Sequence, residues 1–371
     1  MARAETAPLR RGWTTGACAA AAARAAFAAL LTGRFPDPVT IRLPRGQAPS
    51  FPLALAEQGD GFTRAGIIKD AGDDPDVTQG ALIVAELAWA EPGSGIGFRA
   101  GEGVGTVTRP GLPLAVGEPA INPAPRAMIR DALDDVAEAN GAAFSPEAGP
   151  DVTVTIAIPG GERLALRTMN ARLGIEGGLS VLGTTGIVVP YSCASWIHAI
   201  HRGIDVARAA GLDHIAAATG TTSERAVQRL YGLPEHALID MGDFAGGLLK
   251  YLRRHPVARL TLAGGFAKFA KLASGHLDLH SSRSRVDGAQ LARLLVAVGA
   301  ERGAVAAAGS SDSAAEILAI ADEQKSALAE AVARQAREVA LATLSGRTLV
   351  EVAIVDRAGD FLALVGAETV A

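Results

Sequence analysis

Cysteine, aromatic residues and charge of one sign are all scarce in this sequence. Its two cysteines, Cys18 and Cys193, lie far apart and lack metal-ligand spacing, which excludes a disulfide framework and a zinc site and fits a reducing, cytoplasmic setting. Lys and Arg number 35 against 39 Asp and Glu, so no excess of either sign draws the chain to nucleic acid or to an anionic membrane. Aromatics make up 4%. The one conspicuous apolar run, ACAAAAARAAFAALL from Ala17, is broken by Arg24; it lacks the length of a membrane span and the layout of a signal peptide, and predicts a buried helix. What remains is an ordinary globular composition, 49% hydrophobic and 20% charged. At 371 residues it exceeds one core, which predicts two domains.

The pattern changes near Pro190. Residues 1–190 predict an α+β domain with a mixed sheet: strand-like pieces at 39–43, 50–55, 66–69, 81–89, 151–158 and 164–168 stand between Gly, Pro and Asp clusters, with a helix near 127–140. Seven glycines within 93–111 fit hairpin turns better than a nucleotide loop, because Thr106, Val107 and Thr108 continue as strand. Residues 191–371 instead alternate helix (192–210), strand (213–218), helix (223–231, capped by Thr221 or Thr222), strand (236–241), helix (244–254) and strand (260–263). Such alternation predicts an α/β domain with a mostly parallel sheet and a ligand crevice outside the carboxyl ends of its strands. Alanine-rich helices over 288–345 and a hairpin, 349–355 with 361–365, complete the chain as scaffold.

Chemistry concentrates in a few words. Gly264-Gly265 follows a short apolar run and precedes Phe266, Phe269 and Ala270 at helical spacing, a strand–glycine–helix turn that aims N–H groups and a helix dipole at an anion. Beyond it, alternation in GHLDLH would place His276, Asp278 and His280 on one face if the segment were extended. A metal pair from His276 and His280 is the sharper reading, and hydrogen bonding the plainer one. Four carboxylates, Asp70, Asp73, Asp74 and Asp76, share one loop with Lys69; such crowding raises carboxylate pKa values, which suits a general base. The triplet Thr14-Thr15-Gly16 recurs as Thr184-Thr185-Gly186, and each copy either caps a helix or cradles a carboxylate. His198 and His201 lie in a helix and predict packing or capping.

These words, in order and over residues 12–287, resemble the CbiD family of cobalt-precorrin-5B C(1)-methyltransferases. They are GWTTGACAAAAA from Gly12, KDAGDDPDVT from Lys69, GVGTVTRPGL from Gly103, GEPAINPAPR from Gly117, MNARLGIEGGLSVLGTTGIVVP from Met169 and GGFAKFAKLASGHLDLHSSRS from Gly264. The resemblance implies methyl transfer from S-adenosylmethionine to ring carbon C1 of a cobalt-containing tetrapyrrole. It implies no protein-bound metal, since the cobalt arrives in the ring, and no enzyme nucleophile, since the ring carbon attacks the methyl sulfonium directly.

On that basis, S-adenosylmethionine is expected at Gly220, Asp240, Asp243, Gly264 and Gly265. The acidic ring is expected at Thr14, Thr15, Arg109, Arg172, Thr184, Thr185, Lys268, Lys271, His276, Ser281 and Arg283, with Arg10, Arg11, Arg126 and Arg285 as further basic candidates. Asp70, Asp73 and His280 are the candidates for proton transfer. His280 and Ser281, or Asp70, would do the acid–base work of a hydrolase or lyase acting on the same ring, and stoichiometric binding of the ring alone would make a carrier. Assembly as a homo-oligomer stays open.

Overall fold

An alanine side chain ends at Cβ, so a helix of alanines can lie closer to its neighbours than any other. The first helix, α1 (Thr15–Thr32), uses this on every side: 13 of its 18 residues are buried, nine of them alanines. In this computed structural model, which describes residues 8–142, 149–346 and 348–366, α1 crosses a five-stranded sheet and packs along a second helix. It is longer than the sequence pattern indicated. Among the described residues it is the one helix long and apolar enough to cross a membrane, yet 72% of it is buried within the protein. Arg24 is accommodated at the helix–helix seam, where it donates to Asp135 at 3.3 Å.

The chain forms two compact units, Met1–Ser192 and Cys193–Ala371. In the first unit the strands are β1 (Leu55–Gln58), β2 (Phe62–Ile68), β3 (Leu82–Trp89) and β4 (Ile96–Ala100), followed by helix α2 (Pro123–Ala139) and β5 (Val152–Ala157). Sheet order is β1-β2-β3-β5-β4, antiparallel except for the parallel β4–β5 pair, so the sheet is mixed as expected. Thr63, buried on β2, donates to the carbonyl of Ala26 and fixes α1 to the sheet.

Local departures from the predicted pattern have physical causes. Residues 164–168 are not a strand: Gly160 adopts φ +75°, Gly161 backs onto Gly103 with no room for a Cβ, and a short helix, Gly161–Ala165, follows with Glu162 accepting from the Gly103 N–H at 2.8 Å. The pieces at 39–43 and 50–55 shrink to a two-residue ladder, Val39–Thr40 with Ser50–Phe51.

The second unit contains α3 (Cys193–Ala209), β6 (His214–Ala218), α4 (Thr221–Tyr231), β7 (Leu238–Asp240), α5 (Ala245–Arg254), β8 (Arg259–Gly265), α6 (Phe266–Ala273), α7 (Lys325–Leu344), β9 (Leu349–Val355) and β10 (Phe361–Val365). Between α6 and α7 lie three shorter helices, Gly288–Ala297, Arg302–Gly309 and Ala314–Ile320. The sheet runs β7-β6-β8-β9-β10, parallel but for the final hairpin strand. Alternate residues face opposite layers. Ala216 and Ala218 meet Val227 of α4, whereas Ile215, Ala217, Leu260 and Leu262 join α3, α5, α6 and α7.

Neither Thr221 nor Thr222 caps α4; Gly220 stands at the cap position, and Ser223 donates to its carbonyl. His201 is a packing residue, stacked on Tyr251 with ring centroids 4.0 Å apart.

Candidate active site

A doubly wound sheet opens where consecutive connections leave toward opposite faces. Here that point lies between β6 and β8. Helix α4, after β6, covers one face and leads to β7, while α6, after β8, covers the other. The ends of β6, β7 and β8 are level, Ala218 pairing with both Asp240 and Ala263. Two glycines face open space at this edge: a Cβ on Gly220 or on Gly265 would meet nothing within 4 Å. Each precedes the first turn of a helix, so unpaired N–H groups and the positive helix ends point outward beside them. Asp240 closes β7 about twenty residues after Gly220, the spacing at which an acidic side chain meets ribose hydroxyls in such folds.

Gly264 plays a different part from the one its sequence position implies. A Cβ there would stand 2.5 Å from Thr219 Oγ1 and 2.8 Å from Phe269, so its bareness serves internal packing and not the approach of a ligand. Asp243 and Lys268, expected on different ligands, form an ion pair with each other.

The Lys271 side chain is buried and donates to the carbonyl of Leu279 at 2.9 Å, so it anchors the following loop instead of facing an acidic ring. That loop, 276–280, is not a strand. It hangs on the start of α5 through Leu279 N–H to Asp243 O and Gly246 N–H to Leu277 O, both 2.8 Å. The predicted alternation survives without the ladder: Leu279 is fully buried, while His276 and His280 are exposed.

Arg283 is held by Asp278 at 2.7 Å and donates to the Cys193 sulfur at 3.6 Å. Burial works against the Asp278 charge, but its bonds from Arg283 and the His280 N–H win and hold its pKa below the usual range. Nδ1 of His280 accepts from the Ser282 N–H at 3.2 Å and pairs with the Ser282 hydroxyl at 2.7 Å. The proton of a neutral His280 therefore sits on Nε2, which makes this imidazole a donor toward its surroundings. Ser281 is exposed beside it. Among the described residues no group of three or more His, Cys, Asp or Glu side chains is arranged to hold a metal ion.

In the first unit the two Thr-Thr-Gly words lie together and largely satisfy one another. Thr14 and Thr15 are buried; the Thr14 hydroxyl caps α1 at Ala17, and Thr15 exchanges hydrogen bonds with Leu182 at 3.0 and 3.1 Å. Their hydroxyls are thus structural, contrary to the cradle expected. Thr185 turns back on Ile187, and Thr184 is exposed. Arg109 lies against Gly174, and Arg172 is half-buried in the same loop. Arg126 is committed to Glu118 and to the carbonyls of Ile121 and Pro119.

Every carboxylate of the Asp loop is engaged. Arg10 grips Asp70 with both terminal nitrogens, the Arg10 N–H reaches Asp73 at 2.6 Å, the Tyr191 N–H reaches Asp74 at 2.8 Å, and Lys69 meets Asp76 at 2.7 Å. Crowding was expected to raise the carboxylate pKa values. The opposite holds for Asp70, which the Arg10 guanidinium and the Gly72 N–H bring down to about 2. A carboxylate so held is a poor proton acceptor at neutral pH, and the loop is better described as a clasp on the segment entering α1. The structure adds that the Lys69 side chain is fully buried, and that burial pushes the Cys18 thiol up to about 12.

One more residue at the strand ends carries no sequence signal. Trp196, in the first turn of α3, is 47% exposed; its Nε1 donates to the main-chain carbonyl of Asp240 at 3.1 Å, and its ring stands over Gly242 and tilts against Phe244.

The second unit is thus a doubly wound α/β fold with two glycines open to space at its switch point. The CbiD family model matches residues 2–190, and the model described as CbiD, C-terminal domain, matches residues 278–366. The chain belongs to the CbiD family. It is 58% identical over 352 residues to the cobalt-precorrin-5B C(1)-methyltransferase of Paramagnetospirillum magneticum, covering 95% of this chain and 96% of that one. To the protein of the same name from Methylorubrum extorquens it is 58% identical over 360 residues, covering 97% and 98%. The crystal structure of the cobalamin biosynthesis protein (cbiD) from Archaeoglobus fulgidus is 28% identical, with a TM-score of 0.39 over 74% of this chain and 83% of that one.

Proposed function

We propose that this chain transfers the methyl group of S-adenosylmethionine to carbon C(1) of cobalt-precorrin-5B, a step in building the corrin ring of cobalamin. The observation that carries it is identity of 58% along nearly the whole of relatives that bear that name. The methyl sulfonium supplies an electrophilic carbon: the ring carbon forms the new C–C bond, the S–C bond breaks with its electrons on sulfur, and a neutral thioether leaves. What the protein must add is alignment and exclusion of water.

Gly220 and Gly265 leave room for the donor, the first turns of α4 and α6 offer it N–H groups, and Asp240 serves its ribose. The Asp243–Lys268 pair stiffens the turn beside it. His280 acts as an Nε2–H donor to the ring's carboxylates, with His276, Ser281, Thr184, Thr185, Arg109 and Arg172 as further polar contacts. Asp70 and Asp73 position the start of α1 and do not accept a proton. The setting is cytoplasmic.

Mass analysis after incubation with S-adenosylmethionine and cobalt-precorrin-5B tests this. A gain of one methyl group is expected. Loss of a fragment without methylation would identify a lyase instead, and stoichiometric retention of an unchanged ring would identify a carrier.

A further inference from the structure

We infer that Trp196 is the platform on which the adenine ring of the methyl donor stacks, an assignment that rests on the methyltransferase reading above. In a doubly wound sheet the adenosine part of a ligand extends from the first glycine turn toward the neighbouring strand, whose terminal acid meets the ribose. In this chain that path leads from Gly220, at the end of β6, to Asp240, at the end of β7. The base then lies beyond the ribose, and Trp196 occupies that place.

Its position is built. The Nε1–H bond to the Asp240 carbonyl at 3.1 Å ties the indole edge to the last residue of β7. Gly242, at φ +50°, passes beneath the ring with its Cα hydrogens only; a Cβ there would touch the indole at 3.2 Å. Phe244 buttresses it at 6.2 Å between centroids. A large aromatic ring fixed along one edge, supported from below and still 47% exposed is a surface suited to a flat, electron-rich partner. Purine is the flat part of the donor. The sequence holds only three tryptophans, so the indole also reports on its own contact.

The test titrates S-adenosylhomocysteine into the full chain and its Trp196→Phe and Trp196→Ala variants, following affinity by calorimetry and tryptophan emission in parallel. Stacking of a base on an aromatic side chain predicts a Kd about tenfold weaker or more in Trp196→Ala, and one within about threefold of wild type in Trp196→Phe, which keeps a stacking face. Quenching on binding should be present in the wild type and absent from Trp196→Phe. Wild-type affinity in Trp196→Ala, with only its melting temperature lowered, would overturn the assignment and make the residue a buttress for Gly242. Quenching retained in Trp196→Phe would overturn it too, as would a loss confined to the KM for the tetrapyrrole. A wild-type chain that binds no S-adenosylhomocysteine would overturn the methyltransferase reading itself, and the assignment with it.

Discussion

Gly265→Val separates the crevice from the fold. Gly265 caps α6 with φ −77° and ψ 155°, a conformation open to valine, and its Cβ direction is empty to 4 Å. The substitution therefore costs the protein little more than the preference for glycine over valine at a cap, about 1 kcal/mol, which lowers the melting temperature by roughly 2–4 °C in a unit of this size. A ligand lying over the turn meets three new carbon atoms. Displacing it from one or two N–H donors at about 1–1.5 kcal/mol each, with the overlap added, weakens binding by at least ~2 kcal/mol, or about thirtyfold.

Calorimetry with S-adenosylhomocysteine and a thermal melt give both numbers from one preparation. Gly264→Ala is the opposite control. Its Cβ would press on Thr219 and Phe269, so stability should fall by about 1–3 kcal/mol while the folded protein keeps its affinity. Normal affinity in a well-folded Gly265→Val variant would refute the placement of the donor at this turn.

Asp70→Asn tests the clasp. Because the folded pKa of Asp70 is depressed to about 2, its contribution is present above about pH 4 and is lost as the pH falls through the window from about 4 to 2. The wild type should therefore melt above the variant at pH 6, with most of that gap gone at pH 2.5; turnover should fall less than about tenfold, and a loss near a thousandfold would restore Asp70 as a base. Lys271→Met removes the bond to Leu279, and hydrogen exchange over 276–283 should speed up about tenfold; unchanged exchange would show that other contacts hold the loop. Burial depresses the pKa of His201, so the folded state binds fewer protons and stability falls as the pH drops below about 6.5. His201→Phe keeps the stack on Tyr251 and should reduce the shift in urea midpoint between pH 7.5 and 5.5; an unchanged shift would place that proton uptake elsewhere.

Much of the second unit was legible in the sequence because its signals are local. Each of the first three parallel strands is a short apolar run with a Gly at its end or within two residues of it, and a helix follows within a few residues, as at Leu260 to Phe266. The level strand ends with open glycines follow from that order alone. Side-chain commitments were not legible, because their partners are distant in the chain. Thr15 finds Leu182, Arg10 finds Asp70, and the Asp74 carboxylate finds the Tyr191 N–H. A threonine that caps and a threonine that greets a ligand have the same spelling. The strand expected at 164–168 failed for a related reason: Gly161 must sit against Gly103, and that approach turns the chain before a strand can form.

The alanine helix α1 sets a direction on change in the first unit. At Ala20 or Ala22 there is no atom to trim, so any replacement other than glycine adds volume to a space with none spare, and Gly16 already has Pro125 2.8 Å from where a Cβ would be. Most core helices tolerate exchange among residues of similar size, whereas this one has no neighbour in size to exchange with. The sheet and α2 on either side inherit the constraint. A saturation scan of this unit should show a silent stripe along α1, with adaptation displaced to the loops around it.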